Sequence, residues 1–367
     1  MELRQLKLLQ YSAVHFIVDF ACIFFLYRYF ARVDTTLSVY LLYNFCAFAL
    51  QMPVGLLADW WNHNVLVAAA GCFAIAVAYL MILVSGPSST GSMAYGYAIL
   101  IGLGNCLFHV GGGIEVLNQS GEKSSPLGVF VSPGAFGIYL GSILSYQMKL
   151  SSVYIILVLL ISAMSLLIVQ YHGKQFESQK NQTLISCKRV VQSKNCPIGF
   201  HYSKYKVRCL VLICLFFVVC LRSYIGGILR FQWKDTYWGI LVICAVVFGK
   251  LVGGFLADLM GTKKAAIVSL GAATLFFLFS NHPIEGVLAI FFFNMTMPIT
   301  LWEAVRQLPQ SKGFAFGLLT FALFLGYLPI DSRVTSFVQS PVGYGILTAI
   351  SLLLLWFALH INTKERK

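Results

Sequence analysis

The chain has 367 residues, 59% of them hydrophobic and only 11% charged, under half the roughly 25% charge of a soluble domain. That excludes a fold whose whole surface faces water. The formal net charge of +13 would suit a nucleic-acid partner, but its distribution along the chain gives it a topological reading instead.

Taken in order, Met1 to Lys7 is charged and leads into an apolar run that holds Asp19 and has no small-residue cleavage site. We read it as a retained first helix rather than a signal peptide. The first-half spans are Leu9 to Phe30, Leu37 to Leu57, Val65 to Ser85, Met93 to Glu115, Leu127 to Gln147 and Val153 to Val169. A polar stretch rich in Lys, Gln, Ser and Asn follows, from Tyr171 to Arg208. The second-half spans are Cys209 to Leu229, Trp238 to Leu256, Ala265 to Ser280, Gly286 to Ala304, Phe314 to Ile330 and Tyr344 to Ile361. Runs near 20 residues match a hydrocarbon core of roughly 30 Å at about 1.5 Å per residue. Backbone in lipid must satisfy its own polar groups, and the absence of alternation excludes a barrel. The expectation is an all-α membrane protein with twelve transmembrane helices in two pseudo-symmetric six-helix bundles. Residues 1–170 form one bundle, 171–208 a cytoplasmic basic linker and 209–367 the other.

With both termini in the cytoplasm, 18 basic residues fall on the inside segments and 6 on the outside, with Arg222 and Lys250 inside spans. That asymmetry orients the chain and accounts for its basic excess. The setting is a cell membrane, plasma or inner, crossed many times. Eight of the ten cysteines lie in apolar spans, where a thiol is a small apolar side chain. Cys187 and Cys196 lie in the basic stretch, and with His201 they match no trusted zinc spacing.

The halves repeat. Gly55-Leu-Leu-Ala-Asp59 ends the second span and Gly254-Phe-Leu-Ala-Asp258 ends the eighth. Asn105 and Glu115 in the fourth span correspond to Asn294 and Glu303 in the tenth. A six-helix repeat about an axis along the membrane normal is one transporter architecture. Gly254-Phe-Leu-Ala-Asp258-Leu-Met-Gly261-Thr-Lys263-Lys264 resembles the loop between helices 2 and 3, and its second-half copy, in major facilitator transporters. The first-half copy keeps Asp59 but carries Trp60, Trp61, Asn62, His63 and Asn64 where that family has glycine and basic residues. The order of landmarks is similar to the fosmidomycin-resistance-like branch. His15-x-x-x-Asp19 resembles its first helix, Leu107-Phe108-His109 its fourth, Ser132-Pro133-Gly134-Ala-Phe-Gly137 its fifth, and Gln307-Leu-Pro309 with Gly313 and Gly317 the entry to its eleventh. Val110, Gly111 and Ile114 depart from that pattern beside the histidine.

Ionisable groups inside spans cost roughly 2.5 to 3.5 kcal/mol each, so each needs a reason to be there. His15 and Asp19, four apart, share a helix face; they pass protons, touch substrate, or hold helices together. The resemblance puts His109 and Asn294 at a central cavity, since helices 1, 4, 7 and 10 line it. Arg222 has no acidic neighbour in sequence and suits an ion pair with Asp19 or an anionic ligand. Lys250 reads as snorkelling to the cytoplasmic surface. Asp59, Glu115, Asp258, Lys263, Lys264 and Glu303 read as a cytoplasmic gate, with Glu303 pairing Lys263 or Lys264. The expected function is secondary active transport of a small, organic and plausibly anionic solute, proton-coupled, with export favoured over uptake. A transporter-like sensor is the other class. No catalytic motif, metal or cofactor is called for, and the expected partners are the solute, protons and lipid around a monomer.

Overall fold

The computed structural model describes residues 3–30, 36–86, 92–147, 150–185, 202–234, 236–328 and 336–364. Within these lie twelve helices: α1 (Leu3–Phe30), α2 (Leu37–Trp61), α3 (Asn64–Ser85), α4 (Ser92–Ser120), α5 (Ser125–Gln147), α6 (Ser152–Ile185), α7 (Tyr202–Ile228), α8 (Thr236–Met260), α9 (Thr262–Leu278), α10 (Pro283–Gln307), α11 (Lys312–Tyr327) and α12 (Pro341–Lys364). Each contains most of one predicted span, and no strand occurs among the described residues. Ten of the helices are long and apolar enough to cross a membrane; α9 and α11 are shorter. Cys187, Cys196 and His201, raised above as a metal grouping, lie outside the described residues, as do the centre of the linker and Arg333.

The largest departure from the predicted spans is at α6 and α7. The sixth span was expected to stop at Val169, yet the helix continues to Ile185. At about 1.5 Å per residue, the extra length carries it beyond any bilayer. Lys, Gln and Glu are good helix formers, so loss of hydropathy ends the span without ending the helix.

Packing follows the sequence repeat. In the first half α1 lies along α5, and α3 lies between α4 and α6; in the second half α7 lies along α11, and α9 lies between α10 and α12. Between halves, α5 packs on α8 and α2 on α11, each the counterpart of the other. The α4 span is 72% buried and the α6 span 33%, so α4 is central and α6 lies at the rim with its apolar side chains facing lipid. With lipid as solvent, apolar contact alone does not hold helices together; close backbone packing does. Gly137 and Gly141 supply it between α5 and α1, where a Cβ on Gly141 would sit 2.7 Å from the Phe20 carbonyl oxygen.

Two helices are interrupted. A π-turn at Phe45–Ala49 lies in α2 just before Gln51, and α10 breaks at Met295 between Asn294 and Thr296. Interruptions of this kind re-aim side chains, and both breaks adjoin the space between the halves.

Candidate functional site

The first-half side of that space carries a cluster from two helices. His15 and Asp19 come from one face of α1, and His109 reaches them from α4. His15 Nε2 lies 3.2 Å from one Asp19 oxygen and His109 Nε2 lies 3.5 Å from the other. The two Nε2 atoms are 2.9 Å apart. Asn105, one turn before His109, donates to Asp19 at 3.1 Å. All four residues are buried.

Backbone carbonyls fix both rings. His15 Nδ1 meets the Phe130 oxygen at 2.7 Å and His109 Nδ1 meets the Asn105 oxygen at 2.9 Å. A carbonyl only accepts, so both Nδ1 atoms carry hydrogen and both Nε2 atoms are lone pairs in the neutral rings. Two lone pairs and a carboxylate then converge with one donor, Asn105. A single added proton turns the lone-pair contact into an Nε2–H···Nε2 hydrogen bond and balances the carboxylate charge. The three groups place ligand atoms within 4.8 Å of one another, so on spacing alone a divalent cation would also fit. Gly134 on α5 makes the room: a Cβ there would collide with Asp19 and with His15 Nε2.

The cluster faces a cavity of about 460 Å³ between the halves. On the opposite wall are Arg222 from α7, Lys250 from α8, and Asn294 and Thr300 from α10. Arg222 donates to Thr300 at 3.4 Å, and Asn294 donates back to the Ile290 carbonyl at 2.9 Å. Asp19 is the one acidic residue among the described lining, and its close neighbours are the two histidines rather than Arg222. Lys250 does not snorkel. It extends the α8 stripe of Val242, Ile243 and Val246 that walls the cavity, while Gly249 and Gly253 press against α10. The sequence held the signal: Lys250 is eight residues from Asp258, about 12 Å along a helix, beyond the reach of a lysine. Gln51, also missed, is fully buried on the wall, and its Oε1 has no hydrogen-bond partner.

The remaining predicted residues gather where the α2–α3 and α8–α9 loops lie. Asp59 accepts from the backbone N–H groups of Gly313 and Phe314 at 2.8 and 2.9 Å, capping α11. Asp258 accepts from the Ser124 and Ser125 N–H groups at 2.6 and 3.0 Å and from the Ser124 hydroxyl at 2.8 Å, capping α5. Each aspartate thus closes on the other half. Gly55 and Gly313 let the backbones touch there. Glu303 is buried and takes Thr262 at 2.6 Å, Asn362 at 3.0 Å and Arg306 at 3.2 Å rather than Lys263 or Lys264. Lys263 lies 3.0 Å from His360, and Lys264 is exposed. Glu115 accepts from Asn64 at 3.3 Å. The cavity is closed at this end and runs to Leu229, Phe231 and Lys234 at the other.

No known family's sequence pattern matches the chain, and no curated protein matches it in sequence. Solved structures do. A variant of the E. coli fucose:proton symporter FucP superposes with a TM-score of 0.68 at 12% identity, covering 97% of this chain and 99% of that one. FucP in an outward conformation, described as a major facilitator superfamily transporter, gives 0.65 at 11% identity over 98% and 99%. A bacterial homologue of the iron transporter ferroportin, outward-facing, gives 0.59 at 14% identity over 99% of each chain. With two matched six-helix halves about a central cavity, and near-complete coverage at that similarity, this chain has the major facilitator fold.

Proposed function

We propose that the protein is a secondary active transporter that binds a small organic anion between its halves and couples its movement to protons by alternating access. One observation carries the reading: a cluster that accepts a single proton faces two cations across one cavity. Asp19, His15 and His109 hold the proton; Arg222, with His109 and Asn294 at the cavity wall, meets the solute. The added positive charge of Arg222 and Lys250 weighs against a divalent cation in the cluster. Asp59 and Asp258, each capping a helix of the opposite half, hold closed the end where the α2–α3 and α8–α9 loops lie; Glu115, Glu303 and Lys263 bond within their own halves. Residues 1–170 and 209–367 would rock about the site, with 171–208 joining them. The basic bias puts the termini in the cytoplasm of a cell membrane, so this state opens outward.

The sequence favoured export, but the electrostatics favour the other direction. A proton added to the cluster raises the positive charge seen by an anion across the cavity, so proton and anion strengthen each other's binding. That sign is co-transport, and an inward proton gradient would drive uptake. The degenerate first-half loop, the feature that suggested a sensor, still leaves Asp59 capping α11. The test is proton entry into proteoliposomes when an organic-anion panel is added outside. Entry that needs both the anion and Asp19 supports the reading; ligand binding without proton movement favours the sensor.

A further inference from the structure

We propose that the solute is an organic dianion with an apolar body, its two charges divided between Arg222 and Lys250. The inference rests on the transporter reading above and names the substrate class that its site would take.

Both cations are half-buried on the second-half wall. They come from different helices and project from helix-spaced stripes. On α7 the stripe is Arg222, Ser223, Gly226 and Leu229; on α8 it ends at Lys250. Lys250, Arg222 and Asp19 line the same cavity. Across the cavity, Asp19 is already committed, with one oxygen on His15 and the other on His109 and Asn105. The Arg222 guanidinium has a neutral hydroxyl partner at 3.4 Å, and among the described residues neither cation has a carboxylate within ion-pair distance. Two like charges in an apolar enclosure are unfavourable until an anion enters. Once a proton on the His15–Asp19–His109 cluster has balanced the carboxylate, a monoanion would neutralise one cation and leave the other.

The rest of the wall sets the body of the ligand. Phe48, Val131, Ile138, Phe293, Phe316 and Leu319 offer no donors from their side chains and suit an aliphatic or aromatic body. Lys234 is exposed and sits at the open end, where it would draw anions inward without holding them. The site therefore takes a rigid fork at Arg222, able to bind a carboxylate or phosphonate in two-point fashion, and a mobile point charge at Lys250. That pairing tolerates some variation in the separation of the two anionic ends.

The experiment compares α,ω-dicarboxylates from succinate to suberate with the monocarboxylates of equal length. It reads ligand-induced thermal stabilisation of the purified protein and, separately, proton entry into proteoliposomes. We expect at least one dicarboxylate to bind about tenfold or more tighter than its monocarboxylate. Lys250→Gln should reduce that dicarboxylate to near the monocarboxylate level while weakening the monocarboxylate by a much smaller factor, and Lys250→Arg should restore most of the difference. Equal binding of the two series, a preference that survives Lys250→Gln, or no binding by any dicarboxylate to folded protein would each overturn the proposal. The two readings fail separately. Proton entry driven equally by both series keeps the transporter and removes the dianion; dicarboxylate binding without proton entry removes the transporter and keeps the dianion site.

Discussion

Glycine 134 shows how little space separates a working cluster from a broken one. Its α-carbon faces Asp19 and His15, and any side chain there strikes both. Overpacking a tight interior costs about 1–3 kcal/mol, and here the groups that must move are those proposed to hold the proton. We expect Gly134→Ala to lower thermal stability modestly and to abolish anion-dependent proton entry. Retained proton entry would place the proton elsewhere. His109→Gln puts an uncharged amide at the site in place of the ring proposed to share a proton with His15, so it should uncouple proton movement while leaving the fold intact. Circular dichroism alongside flux separates the two effects. At this scale the sequence was half legible. His15 and Asp19 declare themselves by their spacing of four, but His109 is 90 residues beyond Asp19 and joins them only because α4 packs on α1. Lys250 was read as snorkelling although it lies two turns from Asp258, and the structure puts it in the cavity lining.

Among elements, the two aspartate caps act as a matched pair. Asp59 of α2 holds the start of α11, and Asp258 of α8 holds the start of α5. A carboxylate at a helix N-terminus contributes about 1 kcal/mol, a roughly fivefold bias toward closure at that end. Asp258→Ala should shift the population toward the state open at that end by about that factor. Asp59→Ala should match it, and the double variant should approach the product, because the two sites share no partner. Spin-label distances across the α2–α11 and α5–α8 contacts would read this, and unchanged distributions in both variants would remove the latch. The sequence repeat made both aspartates visible as counterparts of each other. It did not reveal their partners. A helix N-terminus in the opposite half is a feature of packing, and the first-half loop looked degraded because its basic residues are gone while its carboxylate still caps.

For the whole molecule, hydropathy was enough to place twelve helices, because lipid forces every apolar run of sufficient length to fold the same way. It failed where chemistry changed without a change of conformation, as in α6, whose polar end stays helical. The matched contacts of α5 with α8 and of α2 with α11 make the halves two bodies that meet along equivalent seams. The cavity lies between those seams, with proton acceptors on one wall and cations on the other. That division is the central claim, and it has a sign. Protonating the His15–Asp19–His109 cluster must tighten anion binding, so affinity should rise as pH falls.

The direct measurement is titration calorimetry of a sulfonate that stays ionised throughout, benzene-1,3-disulfonate, at mildly acidic and mildly alkaline pH. It is run on the wild type and on Asp19→Asn. We predict that the wild type binds about tenfold more tightly at the acidic pH and that Asp19→Asn loses most of this dependence. Wild-type affinity that is unchanged, or that weakens as pH falls, would contradict the account.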